Sequence, residues 1–270
     1  MNKVNLLKAL GDIKNNRKVI LSLAKNDFKS KYAGSYLGAF WAFFQPIITI
    51  FVFWFVFQVG LRVTPVVSEV PFALWFITGI IPWFFFSDAL MSATNCFYEF
   101  NYLVKKVVFK ISILPIIKIL SALMVHAFFI VFLFVVYFCY GYSINFIAIM
   151  SVLYYSMCAF LLVLGLSYIT SSINVFFKDL GQIVGIVVQF GMWLTPIMWS
   201  TKLIPEGYKW IFEMNPMYYV VEGYRSALLG TEFLSNYDGL TLWFWSIVVI
   251  NFIIGAIVFK KLKAHFADVL

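Results

Sequence analysis

Long apolar runs separated by short polar segments dominate the pattern of hydrophobic and polar residues along this 270-residue chain. A helix that crosses about 30 Å of hydrocarbon takes about 20 mostly apolar residues. Six runs satisfy that length, and they are continuously apolar rather than alternating, which favours helices over the strands of a β-barrel. We therefore predict an all-α integral membrane protein with six transmembrane helices, at residues 37–60, 71–97, 111–140, 144–177, 181–199 and 240–259.

The first 36 residues have a different pattern. Their apolar positions fall roughly along one helical stripe among lysines, which is typical of a helix lying in the membrane interface. They lack the single apolar run and small-residue cleavage site of a signal peptide. We interpret residues 1–36 as an amphipathic cytoplasmic interface segment and residues 37–270 as the transmembrane domain. A partly disordered basic tail is the alternative for 1–36.

Pro196 interrupts the fifth predicted span, and Pro205 and Pro216 follow it. The stretch between residues 200 and 240 is too apolar for a plain solvent loop. Non-helical backbone at membrane depth must be buried in protein or line water. We predict two short re-entrant helices here, between the fifth and sixth spans, dipping into the outer leaflet.

Composition and charge agree with this architecture. Hydrophobic residues make up 63% of the chain and charged residues 12%, whereas soluble domains carry about 25% charged residues. Of the 20 basic residues, fifteen lie in segments on the N-terminal side of the predicted membrane and four on the other side, with Lys118 inside the third span. The positive-inside rule then places both termini in the cytoplasm. The basic residues are spread over several loops, which argues against nucleic-acid binding.

Motifs for catalysis or energy conversion are missing from the sequence. There is no GxxxxGK(S/T) phosphate loop, no HExxH and no paired CxxC. We predict no catalytic residue, no metal site and no cofactor bound by this chain. If transport is driven by ATP, the ATPase must be a separate chain.

Ionisable residues within the predicted spans are few. We expect Lys118 to extend to the inner surface and His126 to be a hydrogen-bonded packing residue. Together with Asp88 they give thin support for a proton-coupled carrier. Glu222 and Arg225 stand three residues apart on a predicted short helix, and we expect them to pair in a structural role. The alternative is that they contact the substrate.

The segment 99–110 combines lysines with large apolar residues. A loop with such a patch usually docks onto another surface. The alternative is a loop that lies on lipid headgroups.

Five stretches, in order, carry a resemblance to a known family. They are KYAGSYLGAFWAFFQP at 31–46, GIIPWFFFSDAL at 79–90, YLVKKVVFKISILP at 102–115, NVFFKDLG at 174–181 and NPMYYVVEGYR at 215–225. Together they resemble the membrane subunits of ABC-2 type exporters, and more narrowly the permeases that export lipid-linked polysaccharides of the O-antigen, capsule and wall teichoic acid type. The resemblance covers essentially the whole chain.

This resemblance implies a homodimer in the bacterial cytoplasmic (inner) membrane that binds two copies of a separate ATPase subunit, which carries the ATP and magnesium. It implies that the 99–110 loop is the element that couples ATP hydrolysis to transport, with a second contact at 178–179. The expected coupling residues are Glu99, Tyr102, Leu103, Lys105, Lys106, Lys178 and Asp179. Alternatives are an exporter of a drug or small lipid of the same broad family, a membrane-embedded lipid-sugar transferase, and a passive channel or scaffold.

The excess of aromatic residues suggests a use in such an exporter. Sugar rings stack on aromatic rings, and rings with polar tips suit a wet, apolar boundary. The residues predicted for the substrate path are Trp41, Phe44 and Gln45 at its entrance, then Trp83, Phe84, Tyr218 and Tyr219. The alternative is that these aromatic residues form interface belts and pack the bundle.

Overall fold

The computed structural model describes residues 16–62, 70–105, 110–200, 204–230 and 238–270, and every regular element in these ranges is a helix. We number the α-helices in chain order. They are α1 (Arg17–Lys31), α2 (Trp41–Trp54), α3 (Phe72–Thr94), α4 (Cys96–Glu99), α5 (Asn101–Val104), α6 (Leu114–Cys139), α7 (Phe146–Asn174), α8 (Leu180–Leu194), α9 (Lys209–Glu213), α10 (Pro216–Leu229), α11 (Asp238–Leu262) and α12 (Phe266–Val269). A 3₁₀ turn, Gly38–Phe40, precedes α2, and a π-helical segment, Phe55–Gly60, continues it.

Five helical stretches are long and apolar enough to cross a membrane. They are Gly38–Gly60, Phe72–Thr94, Ile111–Cys139, Phe146–Asn174 and Gly239–His265. They match the first four and the sixth of the predicted spans within a few residues. The helical nature of the chain is therefore confirmed for the described residues.

The fifth predicted span, 181–199, differs from the prediction in length. Its helix, α8, has 15 residues and ends at Leu194. Such a helix is about 22 Å long, shorter than about 30 Å of hydrocarbon. The physical reason is Pro196, because the residue before a proline is pushed out of the helical region, and Thr195 is extended with ψ 132°.

Helix α3 is the centre of the bundle. In its most apolar stretch 78% of the residues are buried, against 11% for the first span and 17% for the last. It packs against α6, α7 and α10, while α11 packs along α7. The first and last spans therefore lie at the periphery.

The N-terminal helix α1 packs along α6 at one end of the bundle. Its buried positions, Ile20, Ala24 and Asp27, are spaced four and three residues apart and so form one helical face. The same apolar cluster contains Phe97, Leu103 and Phe266, so α1, the segment after α3 and the C-terminal segment share one end. The predicted interface helix is confirmed as a helix over Arg17–Lys31, and residues 1–15 lie outside the described ranges.

The two short helices expected between residues 200 and 240 are confirmed as α9 and α10. Helix α10 is buried in the bundle against α3 and α7, whereas α9 has no buried residue. Gly223 allows the close approach of α10 to α7, because a Cβ at this position would overlap the ring of Tyr155. Their depth in the membrane stays a prediction.

Candidate functional site

The segment that follows α3 exposes part of the predicted coupling loop. Helices α4 and α5 form two short turns, and Tyr102 on α5 is 53% exposed. Lys105 is exposed as well, whereas Leu103 is only 9% exposed and packs in the apolar cluster beneath. Lys106 lies outside the described residues. Tyr102 and Lys105 are therefore available to a partner, and Leu103 supports the segment from within.

The second predicted contact lies beside this segment. The Tyr98 hydroxyl donates hydrogen bonds to the carbonyl oxygens of Asn174 and Val175, at 3.1 and 3.0 Å. The ammonium of Lys178 stands 5.8 Å from the centroid of the Tyr98 ring. Lys178 and Asp179 are both exposed. The structure thus brings the 178–179 turn next to the segment after α3. We name the set Glu99, Tyr102, Lys105, Lys178 and Asp179 the docking face, after the role predicted for it from the sequence.

An ion-pair triad around a buried ammonium connects α1 to the docking face. The ammonium of Lys118 on α6 contacts the carboxylates of Asp27 on α1, at 2.5 Å, and of Glu99. Lys118 is 5% and Asp27 8% exposed, and the ring centroid of Phe100 lies 4.8 Å from the same ammonium. The expectation that Lys118 extends to the surface is therefore wrong. Two carboxylates and an aromatic face satisfy it within the protein, which offsets the cost of burying its charge.

A cavity of about 360 Å³ lies between the end of α1, α2, α3 and α6. Three of the predicted path residues, Trp41, Gln45 and Phe84, line it together. Lys31 and Asp88, which form an ion pair, also line it. Asp88 is thus not an isolated intramembrane carboxylate, because the basic end of α1 covers it.

Tyr32, Thr49, Ser87 and His126 complete the polar part of the cavity lining. Burial, assisted by the nearby carboxylate of Asp88, raises the pKa of Tyr32 to about 12, so its hydroxyl stays protonated at neutral pH. Nε2 of His126 lies 2.9 Å from the Tyr224 hydroxyl, which lies 2.5 Å from Oγ of Ser156. The predicted hydrogen bonding of His126 is confirmed, although its Nδ1 has no partner among the described residues.

The other predicted path residues lie elsewhere. Trp83, Tyr218 and Tyr219 are buried in the core of the bundle, and Tyr219 stacks on Phe244 with ring centroids 4.7 Å apart. Phe44 is exposed on α2 outside the cavity lining. Within one chain, therefore, only Trp41, Gln45 and Phe84 of this group meet at a common site.

Arg225 holds the broken backbone that follows α8. It is 1% exposed, and its guanidinium donates to the carbonyl oxygens of Pro196 and Ile197 at 2.6 and 2.9 Å. It also pairs with Glu222 at 2.6 Å and lies 3.6 Å from the centroid of the Trp75 ring. The predicted pair of Glu222 and Arg225 is confirmed. Two of its additional acceptors, the carbonyl oxygens of Pro196 and Ile197, lie beyond the end of α8.

Asp27, Lys31 and Tyr32 are residues that the sequence interpretation missed. A signal was present for Asp27, since it stands seven residues after Ile20 and three after Ala24, on the apolar stripe of α1. A carboxylate at such a position requires a buried partner. Lys31 and Tyr32 carried no comparable signal, because a basic residue at the end of a surface helix is ordinary.

Comparison with known proteins adds independent information. The family model of the ABC-2 type transporter matches residues 18–229. Two O-antigen export system permease proteins RfbA from Klebsiella pneumoniae are 27% and 28% identical over 260 and 268 residues, in each case 93% of this chain and 95% of the relative. A third protein of the same name, from Myxococcus xanthus, is 25% identical over 214 residues, 78% of this chain and 80% of the relative.

Proposed function

Because the chain belongs to the ABC-2 type transporter family, we propose that it is the permease subunit of an ATP-driven exporter of a lipid-linked polysaccharide. The main support for this class of cargo is the similarity to O-antigen export permeases over 93% of the chain. The cavity that collects Trp41, Gln45 and Phe84 supports it, since aromatic rings beside polar groups suit sugar rings.

In this proposal the energy comes from a separate ATPase. The sequence has no phosphate-binding loop of its own, and the docking face offers a partner both exposed charges and an exposed aromatic ring. Two ATPase copies, with ATP and magnesium bound to them, would contact the docking faces of a homodimer. Movement of an ATPase would then reach α1 through the triad of Glu99, Lys118 and Asp27.

The membrane orientation is proposed from charge and packing together. Helix α1, the docking face and the C-terminal segment share the end of the bundle that is rich in lysine. The positive-inside rule assigns this end to the cytoplasm, and in a bacterium the membrane is the inner one. Helix α8, with the extended residues after it, would be the fifth of six spans and shorter than the others. Helices α9 and α10 would be re-entrant.

Deletion of the gene in its own cell tests the cargo. We expect surface polysaccharide to disappear while lipid-linked polymer accumulates inside, because synthesis continues without export. Polymer would be measured separately at the cell surface and in the lysate, with the plasmid-borne gene as the control. Loss of synthesis itself would indicate a lipid-sugar transferase, and unchanged surface polymer with altered drug tolerance would indicate a small-molecule exporter.

Replacing Tyr102 with aspartate tests the docking face. We expect recovery of the partner ATPase with the purified permease to fall by at least about tenfold, because burying an unpaired carboxylate in an apolar groove costs several kcal/mol. The matched control is Tyr140→Asp, since Tyr140 follows α6 at the other end of the bundle and is 49% exposed. Equal ATPase recovery with Tyr102→Asp and Tyr140→Asp would remove Tyr102 from the interface. Leu103→Asp is unsuitable, because that side chain packs inside the chain.

A further inference from the structure

We propose that the cavity between α1, α2, α3 and α6 binds one uncharged pyranose ring of the cargo, an inference that rests on the function proposed above. Its volume of about 360 Å³ lies at the small end of ligand pockets, which span about 300–1,000 Å³. Space of this size holds a single ring with its hydroxyls rather than a run of polymer. The site would therefore take one sugar residue at a time.

The charge of the lining excludes a phosphate or an acidic sugar as the preferred ligand. Its formal charges are those of Lys31 and Asp88, and they neutralise each other in an ion pair. An anion that approached Lys31 would face the Asp88 carboxylate at close range, and the two like charges would repel each other. An uncharged ring leaves the pair intact.

The polar groups of the lining that have no partner suit a ligand with hydroxyl groups. Among the described residues, the Tyr32 hydroxyl, the indole N–H of Trp41 and the Gln45 amide of the lining have no hydrogen-bond partner. The indole can only donate, while the amide of Gln45 both donates and accepts. Sugar hydroxyls also donate and accept, so they can satisfy this mixed set, whereas an anion only accepts. The polar groups thus favour the same ligand as the charges do.

The apolar part of the lining suits the faces of the ring. Trp41, Phe84 and Phe85 contribute aromatic surface to the same cavity as the polar groups. A pyranose has C–H faces and a polar rim, so a site that combines aromatic walls with unpaired hydrogen-bonding groups is complementary to it. A lipid tail would use the walls and leave the polar groups unsatisfied.

Saturation-transfer NMR tests the site on the full-length chain in phospholipid nanodiscs prepared without glycoside detergents. The probes are the uncharged methyl glycosides of glucose, galactose, mannose, rhamnose and N-acetylglucosamine, with methyl glucuronide as the acidic counterpart of the first. We expect saturation transfer to at least one uncharged glycoside and little to the glucuronide. We also expect the signal to fall about two- to tenfold in Trp41→Leu and in Gln45→Leu, as for the loss of one hydrogen bond.

The matched control is Trp210→Leu, because Trp210 is an exposed tryptophan on α9 away from the cavity, and its signal should equal that of the unmodified chain. The proposal is overturned if no uncharged glycoside gives a signal, or if the glucuronide binds better than the uncharged glycosides. It is also overturned if added pyrophosphate or octyl phosphocholine displaces the glycoside. Full signal in both Trp41→Leu and Gln45→Leu would overturn it as well. Because this measurement uses no export, its failure leaves the deletion phenotype, and with it the proposed function, untouched.

Discussion

Replacing Arg225 with methionine is expected to lower the free energy of unfolding by about 3–5 kcal/mol, as for removal of one partner of a buried ion pair. Methionine keeps most of the length of the side chain but leaves Glu222 without its cation. It also leaves the carbonyl oxygens of Pro196 and Ile197 without a donor. Each unsatisfied buried group costs about 1–3 kcal/mol. Denaturant unfolding of the detergent-solubilised protein, followed by near-ultraviolet circular dichroism, measures the change.

The chain contains a matched control for this experiment. Lys209 pairs with Glu206 at the same three-residue spacing, at 3.5 Å, but both side chains are exposed. An exposed pair contributes little to stability, so Lys209→Met should unfold as the unmodified protein does. If Arg225→Met were as stable as Lys209→Met, the guanidinium would not be holding the backbone after α8.

Replacing Lys118 with methionine is expected to cost a similar amount, about 3–5 kcal/mol, because Asp27 then remains buried without a cation. Glu99 is half exposed and can turn to water. The double variant Asp27→Leu with Lys118→Met should recover most of the loss, since an apolar pair of similar volume often replaces a buried ion pair without cost. Unfolding of the two single variants and the double variant gives the coupling free energy directly.

The same double variant separates stability from transport. If the triad carries movement from the docking face to α1, the double variant should bind the ATPase normally in cells and still export less polymer. Surface polymer and ATPase recovery would be measured on the same cells. Normal export by the stable double variant would limit the triad to a structural role.

Much of the architecture followed from the sequence. Continuous apolar runs predict the first four spans within about three residues and the sixth within about six, because their hydropathy depends only on local composition. The pairing of Glu222 with Arg225 was also predictable, since one helical turn brings them together. The same holds for the two helices on either side of Asn215, which caps the second through its side chain.

The contacts that could not be predicted from the sequence join residues that are far apart in the chain. Lys118 meets Asp27 from 91 residues away, and Arg225 meets the carbonyl of Pro196 from 29 residues away. The sequence also did not indicate which of two neighbouring aromatic residues lines the cavity. Trp83 and Phe84 are adjacent on α3, yet successive positions of a helix face different directions, so Phe84 lines the cavity while Trp83 is buried in the core.

ATP-dependent movement of polymer tests the central proposal most directly. Inverted inner-membrane vesicles that contain this chain and its partner ATPase would be supplied with labelled lipid-linked polymer on their outer surface. We predict that polymer becomes protected from an added glycosidase only when ATP and both subunits are present. Equal protection in vesicles that lack this chain, or protection that does not depend on ATP, would contradict the account.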